Sequence, residues 1–383
     1  MRLIPRTLDN IHSPIGEAFA LLGERTDDRP LLDMSQAAPA YPTAPAIADR
    51  IAAIAQSPDG GRYCPQEGLP HVREAFAAEL SGAYGAEIAV DNVMITAGCN
   101  QAFCLVASAL ADHGDEIVLP RPFYFNHDMW LRLDGIRPVH MEAGSDGVAD
   151  VERCREVLTD RTRAIVLVTP GNPTGVTIPP DVIADFAVLA RERDVALIVD
   201  ETYRSFRTTD APAHDLFSQP GWDDTVVSLH SFSKEFAIPG YRVGAAVGSP
   251  ALLAEAMKLL DCVAICAPRI GQEAAYAGLT EATDWRAEKA AGVLERQARF
   301  EEVMADKPGG FELRSAGAYF GWVRHPFEEP TIDVVRRLLV DHSVLTIPGH
   351  AFTGDDEGFI RFSFANLPLE DFDELATRLR AFT

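Results

Sequence analysis

Ser231-Phe232-Ser233-Lys234-Glu235-Phe236-Ala237-Ile238-Pro239-Gly240-Tyr241-Arg242-Val243-Gly244 places two hydroxyls, a lysine and an arginine within twelve positions, between an apolar run and a small-residue strand. A free lysine is only roughly 0.04% neutral at pH 7, so an amine that must attack a carbonyl needs a cationic or desolvated setting. Arg242 beside a strand can provide one. The segment suits the holding of a phosphate next to an amine, although a phosphorylatable surface loop can carry the same residue types.

The rest of the chain narrows that choice. Its 383 residues, 47% of them hydrophobic, can bury one large core or two domains. A net charge of −23, from 34 Lys+Arg against 57 Asp+Glu, argues against nucleic acid and anionic membranes as partners. An anionic substrate then depends on local cations such as Lys234, Arg242 and Arg361. Cys64, Cys99, Cys104, Cys154, Cys262 and Cys266 are scattered, without C-x-x-C or neighbouring His in metal spacing. They read as reduced core or site-lining thiols, and no metal is expected. No signal-peptide stretch opens the sequence and no run of 18 apolar residues occurs, so a cytoplasmic location is expected.

In chain order, Ile11, Ile15, Phe19 and Leu22 fit a short packing helix within 10–23, with Ser13-Pro14 as a possible cap. A strand at 31–34 runs into a Pro-rich turn at Ala37. After Tyr63 and Gly68, apolar positions recur every four residues from Val72 to Tyr84. The strand 93–96, the turn Ala97-Gly98-Cys99-Asn100-Gln101 and a helix over 102–111 offer unpaired backbone N–H groups, which suit a phosphate. The strand 116–119 leads into Pro120-Arg121-Pro122-Phe123-Tyr124-Phe125-Asn126-His127. The run 164–168 reads as a strand covered on both faces, broken by Thr169-Pro170-Gly171-Asn172-Pro173-Thr174-Gly175. Asp200 ends the apolar run 195–199, where an ionised carboxylate is costly unless a cation meets it. At about 3 Å and an effective dielectric of about 20, that attraction is on the order of 5 kcal/mol before desolvation.

Met94, Ile117, Val139, Val166, Ile198, Val227 and Ala245 mark seven strand centres. Beyond Pro250 the pattern turns helical, with 285–304 long enough to bridge two domains. Strands at 316–323 and 360–364 and helices at 331–341 and 369–381 then form an α+β unit. Ile360, Phe362 and Phe364 share one face of their strand, and Arg361 and Ser363 the other, where an arginine facing solvent is the plain alternative to a binding role.

In order and spacing, from Tyr63 to Arg361, these motifs resemble the class I/II, fold-type-I pyridoxal-phosphate aminotransferases. The resemblance implies an α/β fold. A large domain, 40–283, would carry a seven-stranded, mostly parallel sheet between helices, and 1–39 with 284–383 would form a smaller α+β domain. It implies pyridoxal 5'-phosphate as an imine on Lys234, its phosphate held by Ser231, Ser233, Arg242 and the Gly98-Cys99-Asn100 turn. Tyr63 would reach that phosphate in the partner subunit, which makes a homodimer with shared active sites. Tyr124 would stack on the pyridine ring, His127 would support Asp200, and Asp200 would keep the ring nitrogen protonated. Asn172 and Tyr203 would reach the phenolic oxygen, and Arg361 would fork onto the substrate α-carboxylate beside Asn172 and Ala37. Ala37 stands where the family usually has glycine.

The implied reaction is ping-pong transfer of an amino group from an L-amino acid to a 2-keto acid, with Lys234, Asp200 and Tyr203 as catalytic residues. Members acting on dicarboxylates usually place a second arginine before Pro268, where this chain reads Asp-Cys-Val-Ala-Ile-Cys-Ala (261–267), with Arg269 slightly off that position. Neutral or aromatic substrates are therefore expected. A C–S β-lyase shares the same motifs and is the leading alternative. A non-catalytic cofactor-sensing regulator is a distant one, and the absence of G-x-G-x-x-G disfavours a nicotinamide dehydrogenase.

Overall fold

The computed structural model describes residues 1–209 and 211–382; positions 210 and 383, which fall within the expected large and small domains, lie outside the described residues. The strands are β1 (Leu32–Asp33), β2 (Val93–Thr96), β3 (Glu116–Arg121), β4 (Arg137–Glu142), β5 (Thr162–Val168), β6 (Ala196–Asp200), β7 (Val226–Ser231), β8 (Gly244–Val247), β9 (Glu312–Gly317), β10 (Phe320–Arg324), β11 (Val344–Leu345), β12 (Ile347–Pro348) and β13 (Phe359–Phe362).

All seven expected strand centres fall in one sheet of order β2-β8-β7-β6-β5-β3-β4. Its pairs are parallel except those of β8, which runs antiparallel to both β2 and β7. Alternate side chains explain its two covered faces. Ile165, Leu167, Leu197 and Val199 enter one apolar cluster, while Ala164, Val166 and Ile198 enter another on the opposite side. The helix Cys99–Leu110 lies in the second cluster, and the helices Pro70–Tyr84 and Pro180–Arg193 in the first.

The C-terminal part forms the antiparallel sheet β12-β13-β10-β9. The single strand expected at 316–323 is a hairpin instead. Ala318 adopts φ +49, and no Gly or Asn at that position signals the turn. The strand expected at 360–364 ends at Phe362, followed by a 3₁₀ turn at Phe364–Asn366. β1 pairs in parallel with β11 as a separate two-stranded sheet, and β11 leads after one residue into β12 of the four-stranded sheet. Buried Arg378 reinforces that junction by donating to the carbonyls of Pro30, His342 and Ser343 while pairing with Glu374 at 2.7 Å.

The helix expected within 10–23 is Pro14–Ala20 followed by a 3₁₀ turn, and Ser13 makes no capping hydrogen bond with its side chain. The helix Thr283–Ala305 spans the expected bridge between the two sheets. The Asn172 turn meets the C-terminal hairpin where Gly175, at φ +72, lies against Gly317 so closely that a Cβ on either would strike the other's backbone. No helix among the described residues is long and apolar enough to cross a membrane.

Candidate active site

The C-terminal ends of β5, β6 and β7 lie side by side, with Val168 opposite Asp200 and Asp200 opposite Leu229. Loops leaving these ends carry Asn172, Tyr203 and Lys234, as expected where a parallel sheet binds ligands. A cavity of about 530 Å³ opens there. Lys234, Asp200, Arg242, Ser231 and Ser233 line it together with Tyr203. Ala37, Cys99, Asn100, Tyr124, Asn172 and Arg361 line it too, whereas the expected Gly98, His127 and Tyr63 do not. Residues more than three hundred positions apart thus surround one space.

One corner of the cavity suits a phosphate. Thr96 and Ser231 both pair with Gly244, so the β2 turn and the Lys234 segment are pulled to one edge. The helix over Cys99–Leu110 begins three residues earlier than its periodicity suggests, with Gly98 at its N-cap. In its first turn the Cys99 and Asn100 amides have no intrahelical acceptor, and both residues line the cavity. Gly98 adopts φ +90, and a side chain there would overlap the Arg242 guanidinium. Arg242 itself sits at φ +49 and is braced by the carbonyls of Pro239 at 2.9 Å and Ala97 at 3.4 Å.

Lys234 follows Ser231 and Ser233 in a one-turn helix, Phe232–Glu235, capped by the Ser231 hydroxyl. Its Nζ donates to the Ala37 carbonyl. Burial, with Arg242 and Arg361 nearby, lowers its pKa from an ordinary 10.5 to about 8. Asp200 shows the opposite balance. Burial works to raise its pKa, but His127 Nε2 at 3.4 Å and the Thr202 N–H at 2.9 Å hold it below the usual carboxylate range. His127 does not line the cavity; it stands behind Asp200, stacked on Phe103 with ring centroids 3.9 Å apart. Tyr124 is pushed up to about 12 by burial, and its hydroxyl donates to Asn126 Oδ1 at 2.8 Å.

Arg361 is 2% exposed, which overturns the solvent-facing alternative. It lies 4.8 Å from the Phe320 ring and 4.9 Å from the Phe352 ring, and burial lowers its pKa to about 10. Its Nη1 donates to Asn172 Oδ1 at 2.9 Å and its Nη2 to the Ser35 carbonyl. Its Nε is buried without a partner, and among the described residues no carboxylate lies within 4 Å of it. The comparably buried Arg378 has Glu374. A desolvated cation with only neutral acceptors and a spare donor is suited to an incoming anion.

Some expected positions fall elsewhere. Tyr63 is 74% exposed and does not line this cavity. Arg269 donates to the carbonyls of Arg62 and Tyr63 rather than entering the site. Of the six free cysteines, Cys99 lines the cavity, but Cys262 is exposed, against the reading of all six as core or site-lining. Other lining residues had no assigned role. Ile15 and Phe19, read as simple packing, line the cavity from the helix Pro14–Ala20, as do Gln36 from its loop and Asn126 from the first turn of the helix Phe125–Asp134. Nothing local announces Ile15 or Phe19, because their place depends on where that helix docks. Thr202 did carry a signal, since an Asp followed two residues later by a free N–H is an Asx turn.

Comparison with known proteins agrees with this geometry. The family model for aminotransferase class I and II matches residues 29–379. The chain belongs to the class I and II aminotransferases. An aromatic aminotransferase of Arabidopsis thaliana is 30% identical over 343 residues, covering 87% of this chain and 84% of its own length. An aspartate aminotransferase of Pyrococcus abyssi is 27% identical over 308 residues, 79% of each chain. A single-mutant form of Thermus thermophilus aspartate aminotransferase superposes over 100% of both chains with a TM-score of 0.91 at 25% identity. Aminotransferases of this fold use pyridoxal phosphate, and this transaminase has the fold-type-I architecture its motifs implied.

Proposed function

We propose that this aminotransferase binds pyridoxal phosphate at Lys234 and moves the amino group of a neutral or aromatic L-amino acid to a 2-keto acid. The observation that carries the reading is Arg361: a buried guanidinium, unpaired with any carboxylate, facing the same cavity as an amine whose pKa is lowered to about 8. The cradle of Gly98, the Cys99 and Asn100 amides, Ser231, Ser233 and Arg242 fits the cofactor's phosphate, Tyr124 fits the face of its ring and Asn172 the phenolic oxygen at its edge.

When bound, the cofactor supplies an electrophilic carbon for the substrate amine and a ring that takes up the electron pair left at the substrate's α-carbon. The protein does the rest. Arg361 forks onto the α-carboxylate and, with Asn172, fixes the substrate's orientation. Asp200, kept ionised by His127 and the Thr202 amide, holds a proton on the ring nitrogen. Tyr203 positions the ring's phenolic oxygen. Lys234 Nζ would hold and move the α-proton, and burial beside Arg242 and Arg361 favours its neutral form.

What lines the cavity around the substrate side chain favours a neutral or aromatic one. Arg269 is engaged with backbone, and Ile15 and Phe19 give the mouth an apolar wall. A second carboxylate finds no further arginine among the described lining residues. We also propose a homodimer. Tyr63, Val263 at 68% exposure, Ile265 and Tyr241 leave apolar surface uncovered, and Cys64 N donates to Cys266 Sγ at 3.3 Å, so Tyr63 and the 263–266 loop are neighbours. We propose the domain division at 39/40 and 283/284 as well, supported by the β1–β11 pairing and by the helix that begins at Thr283.

An amino-acid panel assayed with 2-oxoglutarate or pyruvate tests the reading. Keto-acid formation should require the acceptor and be fastest with aromatic or neutral donors. Ammonia released without acceptor would favour the C–S lyase instead. Lys234→Ala should abolish the imine band of the bound cofactor, and an unchanged imine band would exclude that lysine.

A further inference from the structure

We propose that Glu235 is a positioning residue for Lys234, holding the lysine's one-turn helix through ion pairs with Arg286 and Arg204, in a part-buried knot whose far carboxylate is Glu79. The proposal rests on the reading of Lys234 as the reactive amine. A four-residue helix has no stability of its own, so the direction in which Lys234 points must be set by contacts outside the turn. The cavity side of the turn supplies little, since Nζ meets only the Ala37 carbonyl there.

Behind the turn, the contacts are dense. Glu235 is 4% exposed, and its Oε1 accepts from Ser205 Oγ at 2.7 Å and from Arg286 Nη1 at 2.7 Å, with Arg204 Nη2 at 3.5 Å. Arg286 Nη1 also donates to Glu79 Oε1 at 2.8 Å, and Arg204 pairs with the same oxygen. Two guanidiniums thus share two carboxylates, each cation lying 5.9 Å from a ring, Arg204 over Phe76 and Arg286 over Phe236.

The knot is placed to act on the site through sequence neighbours. Arg204 directly follows Tyr203, and Glu235 directly follows Lys234. Glu79 sits on the helix Pro70–Tyr84, and Arg286 on the helix Thr283–Ala305 that runs to the C-terminal sheet. One cluster therefore registers the lysine turn, the tyrosine turn and the bridging helix against each other. A misplaced reacting group loses rate more than affinity for the amino acid, because Arg361, which takes the substrate carboxylate, lies outside the knot.

Two variants separate positioning from simple stabilisation. Glu235→Gln and Glu79→Gln each remove one carboxylate from the same two arginines, but only the first touches the lysine turn. Glu235→Gln should lower kcat about tenfold with KM for the amino acid within about twofold, while Glu79→Gln keeps kcat within about twofold despite a comparable fall in Tm. In cofactor-free protein, the pH profile of Lys234 modification by a small amine-reactive reagent, read by mass spectrometry, supplies a second readout. Lys234 is faced by Arg242 and Arg361, which neither variant alters. The profile's midpoint should rise by about half a unit in Glu235→Gln, as the freed amine reaches water, and stay in place in Glu79→Gln. If Glu235→Gln does not fold, the pair Glu235→Gln with Arg286→Leu removes both charges together and carries the same expectation. Unchanged kcat and midpoint in the Glu235 variants, or equal kcat losses at 79 and 235, would overturn the proposal. The labelling reports on Lys234 even if no transamination is found, so failure of the functional reading is told apart from failure of this one.

Discussion

Lys234 and Arg361 are two cations held in one cavity, and both bear the cost of desolvation. For Lys234 that cost has a definite pH dependence. Between about 8 and 10.5 the folded chain has released a proton that the unfolded chain still binds, so stability rises with pH across that window. Below about 8 both states are charged and the folded state carries the full penalty, on the order of 2 kcal/mol for a part-buried amine. Lys234→Met should therefore melt at a higher temperature than the parent at pH 7 when both are free of cofactor. Its advantage should shrink as the pH approaches 10, and thermal melts at several pH values check this. A constant advantage would mean that the lysine is not electrostatically strained. At this scale the sequence was informative, because Lys234, Asp200, Asn172 and Arg361 each interrupt an apolar or small-residue pattern. Whether Arg361 faced water was not legible, since strand alternation names a face without saying what covers it.

At the scale of elements, one device is the junction of β2, Gly98 and the helix Cys99–Leu110. Its φ of +90 with ψ of 163 belongs to a region essentially reserved for glycine, and strain there costs about 1–3 kcal/mol for other residues. Gly98→Ala should lower the Tm of the cofactor-free protein and, by displacing Arg242, raise the Kd for pyridoxal phosphate at least about tenfold. Titration of the cofactor by absorbance measures the second effect; an unchanged Kd would remove Arg242 from the phosphate site. Long, covered strands such as β5 and β6 were legible because both faces are apolar. The β9–β10 hairpin was not, because its turn uses Ala318 at positive φ in place of Gly or Asn, and the two strands read as one. The helix Cys99–Leu110 begins three residues before its apolar periodicity, since Asn100 and Gln101 make its first turn polar where it meets the site.

For the whole molecule, the site is assembled from both ends of the chain, with Ile15 and Arg361 lining the cavity that Lys234 faces. A shared site in a homodimer adds a further expectation. Lys234→Ala chains and Tyr63→Ala chains, refolded together, should regain one intact site per mixed dimer, and so roughly a quarter of the parental activity when chains assort at random. No recovery would place Tyr63 outside the partner's site. By itself the sequence determined the sheet, the order of the motifs and the residue types around the reactive lysine, because strand burial and turn chemistry are written in short local patterns. Only the tertiary structure decided that Arg361 is buried without a carboxylate, that Phe19 faces the cavity and that Glu235 is tied to Arg286. Each of those depends on which distant surfaces pack together, and no local pattern specifies that.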